Sequence, residues 1–381
     1  MLYVGFVNPY GVYLEEYRHH VFKETPSSLL SWIGCLQIGA LSIFSAAFGI
    51  LAERFDSRLV GLLGSLLAGA GLLLASACTT PIGLLFTQGI MFGAGGSCLM
   101  MLSMSLPSQW MVKHRATAMG IVTTGSSVGG LWLSFATRGI MTRLSWQWSL
   151  RFGGLLLIGL GGPISLVMRK RVLVQADDKA VDTTAFKNTG FMLLFCFSMF
   201  AVGGCYIPYY FMPSYSVVVL NRPQAWSAII SSIISGSSIA GRLLTGVIAG
   251  RVGPLNALWL CSAGCTLLVL TLWLPFQNIG ALISMALLYG VTSGCTISLL
   301  PVVTSGFFEA KRLPSIFGLT FFAYGAGTVL SLPVGGALLD RYGDGTNYLP
   351  VILFGGAFLV AATVVLSALR LVLLRSLLTK V

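Results

Sequence analysis

Apolar stretches recur from one end of the chain to the other, separated by short polar turns. A helix needs roughly 20 such residues to cross the hydrocarbon core of a bilayer. The pattern predicts spans at Leu29–Leu51, Leu59–Cys78, Ile82–Leu106, Ala118–Phe135, Trp148–Met168, Gly190–Val219, Trp226–Ala249, Leu255–Pro275, Ile279–Val303, Ser315–Leu339 and Leu349–Leu369. Before them lies Met1–Leu14, which is apolar but short, and which Glu15, Glu16 and Arg18 close. Two readings stay open for this piece: the chain begins inside a first helix, or the true start lies upstream.

The polar turns repeat. Gly49–Asp56 reads G-I-L-A-E-R-F-D and Gly246–Gly253 reads G-V-I-A-G-R-V-G, an offset of 246 − 49 = 197. Ser108–Arg115 reads S-Q-W-M-V-K-H-R and Ser305–Arg312 reads S-G-F-F-E-A-K-R, an offset of 305 − 108 = 197. Two matches at one offset imply two similar halves arranged as parallel repeats, a plan known from transporters. The count then requires six helices per half, the first of them incomplete. The expected organisation is a transmembrane half over 1–168, a linker over 169–189 and a second half over 190–381. Gly89-x-x-x-Gly93, Gly125-x-x-x-Gly129, Gly246-x-x-x-Gly250 and Gly290-x-x-x-Gly294 each set two glycines on one helix face, where backbones can approach closely in lipid. The spans Ile82–Leu106 and Ile279–Val303 correspond in the two halves, and both carry such a pair.

Composition sharpens this reading. The 381 residues are 56% hydrophobic and only 9% charged. A soluble domain carries roughly a quarter charged residues, so this is an all-α membrane protein. The net charge of +12 is topological. With the turn Ala52–Arg58 on the cytosolic side and strict alternation from there, fifteen Lys and Arg fall inside and seven outside, with Arg242 alone in a span. Nucleic acid is therefore not an expected partner. The eight cysteines lie within or at the ends of spans. Cys261 and Cys265 share a helix face, but no His or acidic residue stands near to complete a metal site. Free thiols acting as small apolar residues are the expected state. No phosphate-binding G-x-x-x-x-G-K-[ST] and no H-E-x-x-H occurs. No cofactor, metal or enzymatic activity is expected.

Arg242 is the most informative residue. A charge inside a span is costly and usually faces a cavity or a partner. Ser231, Ser235, Ser238, Arg242 and Thr245 are spaced by 4, 3, 4 and 3 and so form one polar stripe. Hydroxyls around one guanidinium suit a cavity that receives an anion, since guanidinium binds carboxylate bidentately. The alternative is pairing with backbone carbonyls. The span Gly190–Val219 carries Tyr206, Pro208, Tyr209, Tyr210 and Pro213. Its two prolines predict a kinked or broken helix, and its tyrosines could serve a substrate or an interfacial belt. Glu53, Arg54 and Arg58 form a charged turn that could gate between two states through ion pairs. Arg115, Arg251 and Arg312 occupy the related turns.

At these residues the chain resembles a known family. G-I-L-A-E-R-F-D-S-R at Gly49–Arg58 is similar to the signature loop of the major facilitator superfamily. Y-G-V-Y-L-E-E-Y at Tyr10–Tyr17, S-W-I-G at Ser31–Gly34, W-M-V-K-H-R-A-T-A-M-G-I-V-T-T-G-S-S-V-G-G at Trp110–Gly130, A-G-R-L-L-T-G at Ala240–Gly246 and L-L-D-R-Y-G at Leu338–Gly343 resemble its fungal monocarboxylate transporter-like branch. The resemblance implies a secondary transporter working by alternating access, either active or facilitative, for a small organic acid. The alternative is an exporter of a fungal secondary metabolite, since fungal relatives include such carriers. A second alternative, suggested by the short first helix, is a non-transporting receptor or inactive paralogue. The implied partners are a small anionic substrate, the bilayer and, in some relatives, protons, with a plasma-membrane location. The sequence departs from the family's pattern at four places. Ser238 stands where animal members carry an Asp one turn before the Arg, and Asn8 stands where they carry a Lys in the first helix. Glu53 replaces the usual Asp of the loop, and Asp56 the usual Gly. Arg242, Ser238, Ser235, Tyr206, Tyr209 and Asn8 are the candidate substrate residues.

Overall fold

The computed structural model describes residues 2–374 apart from 7–9, 11–12, 14–15, 18–20, 23–24, 26, 112, 171–182, 224, 309–311 and 344–345. Among the described residues there are eleven long helices and no strand. They are α1 (Ser27–Arg54), α2 (Ser57–Ala75), α3 (Pro81–Trp110), α4 (Arg115–Arg143), α5 (Trp146–Val167) and α6 (Thr189–Val218), followed by α7 (Ala225–Val252), α8 (Pro254–Trp273), α9 (Ile279–Phe307), α10 (Leu313–Gly343) and α11 (Leu349–Leu374). Each covers one predicted span. Ten are long and apolar enough to cross a membrane, by length and composition. The exception is α4, whose Thr117, Thr123, Thr124, Ser126, Ser127 and Thr137 dilute its apolar content. Large apolar side chains such as Phe135, Leu155, Val167 and Leu267 stand exposed, as a lipid-facing surface requires.

Two helices contain a π-helical stretch, Leu85–Met91 in α3 and Val269–Trp273 in α8. By contrast, α6 runs unbroken through Pro208 and Pro213. The break that the prolines allowed does not occur. A proline removes one ladder bond, and the helix continues on either side of both prolines. At the other end of the chain, α11 extends to Leu374, so Arg370 lies inside a helix rather than in a terminal segment. It is buried, with its guanidinium 5.0 Å from the Trp259 ring.

The chain divides into two compact units. The first comprises Met1–Val112, Gly125–Asp182 and Phe308–Gly325. The second comprises Lys113–Thr124, Thr183–Phe307 and Ala326–Val381. The start of α4 thus packs with the second unit and the start of α10 with the first. These two exchanged segments correspond to each other at the 197-residue offset. Within each unit the same helix pairs recur: α1 with α3 and α2 with α3 in the first, α7 with α9 and α8 with α9 in the second.

Glycine explains the closeness of these pairs. A Cβ on Gly93 would lie 2.8 Å from the Gln37 carbonyl oxygen of α1. A Cβ on Gly294 would lie 2.6 Å from the Ser238 carbonyl oxygen of α7. Gly89 and Gly290, one turn earlier, face Leu36 and Ser237. The paired glycines of the two corresponding spans therefore do the same work in both units. Gly250 does not fit this pattern, since a Cβ there would meet nothing.

The turns differ in detail. Asp56 accepts a hydrogen bond from the Arg58 amide at 3.3 Å and so caps α2. Its counterpart Gly253 has φ 89°, a left-handed value suited to glycine, and leads into Pro254 at the start of α8.

Candidate functional site

The second unit gathers a polar cluster from α4, α6, α7 and α9. Arg242 on α7 is 8% exposed and Ser238, one turn before it, 1%. The Arg242 Nε donates to the Ser238 hydroxyl at 3.2 Å. Its Nη1 donates to the backbone carbonyl of Thr123 on α4 at 2.6 Å. Helix α4 can come this near because residue 120 is glycine, which sits directly on the Arg242 carbonyl. The Thr123 hydroxyl in turn bonds the Ser298 hydroxyl on α9 at 2.6 Å. A guanidinium in a low-dielectric interior needs donors satisfied on several sides. Here a serine hydroxyl and a helix carbonyl supply two of its acceptors.

The stripe predicted on α7 is graded. Thr245 and Ser238 are buried, Ser235 is half-buried and Ser231 is exposed, bonding back to the Ser227 carbonyl at 2.9 Å. Only the inner part of the stripe shares the site of Arg242.

Helix α6 contributes aromatic faces. Tyr206 packs against Tyr209 and Tyr210 with centroids 6.3 and 6.4 Å apart. The Tyr209 hydroxyl pairs with Ser293 on α9 at 3.1 Å, and its ring meets Tyr289 at 6.2 Å. The structure brings Arg242 together with Ser238 and the Thr123 carbonyl, and in the same unit sets Tyr206 and Tyr209 of α6 against each other, with Tyr209 bonded to Ser293 of α9. It adds Thr123, Ser293 and Ser298, which the sequence reading did not single out. Thr123 stands in the quoted T-T-G-S-S run, and Ser293 adjoins the Gly290–Gly294 face. Both signals were visible without pointing to α7.

Asn8 falls outside the described residues, and so does the side chain of Glu53. Arg54, Arg251 and Arg312 are exposed, and Arg58 is half-buried. Arg115 is half-buried, and its Nη1 donates to the Ser305 carbonyl at 3.1 Å. In the first unit the turn after α1 is held by Lys170, which donates to the Phe55 carbonyl at 2.6 Å, and by Ser57, which donates to the Met168 carbonyl at 3.0 Å. These contacts run from side chains to backbone carbonyls rather than between opposite charges.

Chemically the cluster offers one fixed positive charge, several hydroxyls and an aromatic wall. Nothing in it resembles a nucleophile with its base. Such a set of groups can accept an anionic group and pack against an aromatic one.

Residues 3–319 match the family described as Major Facilitator Superfamily. The chain is 28% identical over 379 residues to the agnestins efflux protein AgnL12 of Paecilomyces divaricatus, covering 99% of this chain and 86% of that one. It is 28% identical over 368 residues to a fujikurins efflux protein of Gibberella fujikuroi, covering 96% and 78%. It is also 28% identical over 369 residues to the MFS-type transporter opdF of Penicillium oxalicum, covering 96% and 86%. Among solved structures, the Escherichia coli fucose:proton symporter FucP superposes with a TM-score of 0.75 at 14% identity, over 97% and 96% of the two chains. The human organic anion transporter MFSD10 superposes with a TM-score of 0.70 at 12% identity, over 96% and 97%.

Proposed function

Because the chain belongs to the major facilitator superfamily and is a multi-pass membrane transporter, we propose that it exports a small organic secondary metabolite bearing an acidic group. Arg242 carries the reading: a buried guanidinium held by Ser238 and the Thr123 carbonyl, in the unit whose α6 carries Tyr206 and Tyr209, suits a carboxylate or phenolate on an aromatic body. The names of the agnestins and fujikurins efflux proteins support export over uptake. Uptake of a simple organic acid is the second reading, and the likeness of Trp110–Gly130 to the monocarboxylate transporter-like branch favours it. In the export reading the protein works at the plasma membrane with its basic turns in the cytosol. No acidic residue precedes Arg242 by one turn, so any proton coupling runs through another group.

Deleting the gene in the native host and comparing metabolites inside and outside the cells tests the proposal. The expected result is an acidic metabolite retained inside, with release restored by the intact gene and not by Arg242→Ala at equal membrane abundance. Unchanged release would overturn export. Slower uptake of an external organic acid would establish the second reading.

A further inference from the structure

The end of α4, in the first unit, carries an open groove. Ala136, Gly139, Ile140, Arg143 and Leu144 line it, and its volume is about 460 Å³. That lies within the range of small-ligand sites, roughly 300–1,000 Å³. The five residues are spaced by 3, 1, 3 and 1, so they lie on one face of the helix. Trp132, one turn before Ala136, continues that face and is 50% exposed. The groove exists because Ala136 and Gly139 are small between bulky neighbours. A Cβ on Gly139 would meet nothing within 4 Å, so the space beside it is open.

The floor of the groove is apolar and its rim is cationic. Arg143 is exposed, and among the described residues its guanidinium has no hydrogen-bond or ion-pair partner. The sequence holds no Asp or Glu from Ser57 to Ala176. Trp148 stands just beyond the turn, 50% exposed, with the Arg151 guanidinium 5.0 Å from its ring centroid. An exposed tryptophan at the end of a membrane helix marks the headgroup level of a bilayer. Arg143 therefore stands at the level of lipid phosphates. Eleven residues separate Trp132 from Arg143, about 16 Å of helix. One leaflet of hydrocarbon is half of roughly 30 Å. The face thus has the length of one lipid, with the charge at its head.

We propose that this face of α4 is a binding site for an acidic phospholipid. Arg143 takes the phosphate through two parallel N–H···O bonds, the geometry that guanidinium favours. An acyl chain lies along Gly139 and Ala136 toward Trp132. A zwitterionic lipid offers the same phosphate but brings an ammonium to a rim that is already cationic, and so binds less well.

Native mass spectrometry on the full chain in detergent tests this, with dioleoyl phosphatidylglycerol or dioleoyl phosphatidylcholine added at matched concentration. The intact protein should hold about threefold more of the acidic lipid, the scale of one exposed charge pair. Arg143→Gln should abolish that preference, and Arg138→Gln, which is exposed but off this face, should keep it. Gly139→Leu fills the groove and should lower binding of both lipids while leaving Tm unchanged, since its side chain enters open space. Equal binding of the two lipids by the intact protein would overturn the proposal. So would equal losses in Arg143→Gln and Arg138→Gln, or unchanged binding in Gly139→Leu.

Discussion

Ser45 and Arg242 stand at matching places in the two repeats, since 242 − 45 = 197, and both donate to a carbonyl of the helix that enters their unit. Ser45 Oγ reaches the Gly318 carbonyl of α10 at 2.8 Å. Arg242 Nη1 reaches the Thr123 carbonyl of α4 at 2.6 Å. Both units place glycine at that approach: Gly318 against Ser45 and Gly325 against Ser42 in the first, Gly120 against Arg242 and Gly246 against Thr117 in the second. The packing is shared and the chemistry is not. The face that reads Ser238, Arg242, Thr245 in the second unit reads Leu41, Ser45, Phe48 in the first. The way the helices are joined is shared, while at this place the second unit has a charge and hydroxyls where the first has Leu41, Ser45 and Phe48. We propose that the guanidinium, where the other joint has a hydroxyl, serves an acidic substrate.

The largest expected effect separates these two positions. Arg242→Ala should lower transport of an acidic substrate by about 30-fold or more, because a charge-assisted contact in a desolvated site is typically worth 2–5 kcal/mol. Ser45→Ala should change transport by no more than about fivefold, the scale of one neutral hydrogen bond. Efflux assays at matched membrane abundance would read both. Equal losses at the two positions would mean that Arg242 is only a structural joint.

Breaking the shared packing should instead cost both units alike. Gly120→Leu and Gly325→Leu each force a side chain onto a neighbouring backbone or serine. Overpacking of this kind costs roughly 1–3 kcal/mol. Thermal unfolding in detergent should show a lowered Tm for both variants. A drop for only one would break the equivalence of the two joints.

How far these joints could be read in advance depended on which atoms make them. The stripe Ser231, Ser235, Ser238, Arg242, Thr245 follows from helical spacing alone, and its inner members are buried as that spacing implied. The glycine pairs of α3 and α9 were legible for the same reason. Thr123 was not, because its part is played by a backbone carbonyl, which leaves no mark on residue identity and lies 119 positions from its donor. Nor could spacing show that the starts of α4 and α10 pack with the opposite unit, since that depends on contacts between distant segments. Pro208 and Pro213 pointed to a kinked or broken helix, and the helix is not broken at them.

A smaller effect probes the hydroxyls around the charge. Thr123→Val removes the hydroxyl pair with Ser298 but keeps the carbonyl that Arg242 uses. About 1 kcal/mol of stability should be lost, with a modest fall in Tm and transport kept within about fivefold of the intact protein. A loss as large as that of Arg242→Ala would move the centre of the site from the guanidinium to the hydroxyls.

The most direct test compares an acid with its neutral ester. The metabolite retained by the deletion strain and its methyl ester would be followed in vesicles carrying the intact protein, Arg242→Lys or Arg242→Ala. The account predicts that the intact protein prefers the acid, that Arg242→Lys keeps part of this preference because it retains charge without the bidentate fork, and that Arg242→Ala abolishes it while the ester is still transported. If Arg242→Ala leaves the preference for the acid intact, or reduces acid and ester equally, Arg242 is not the anion-recognising group.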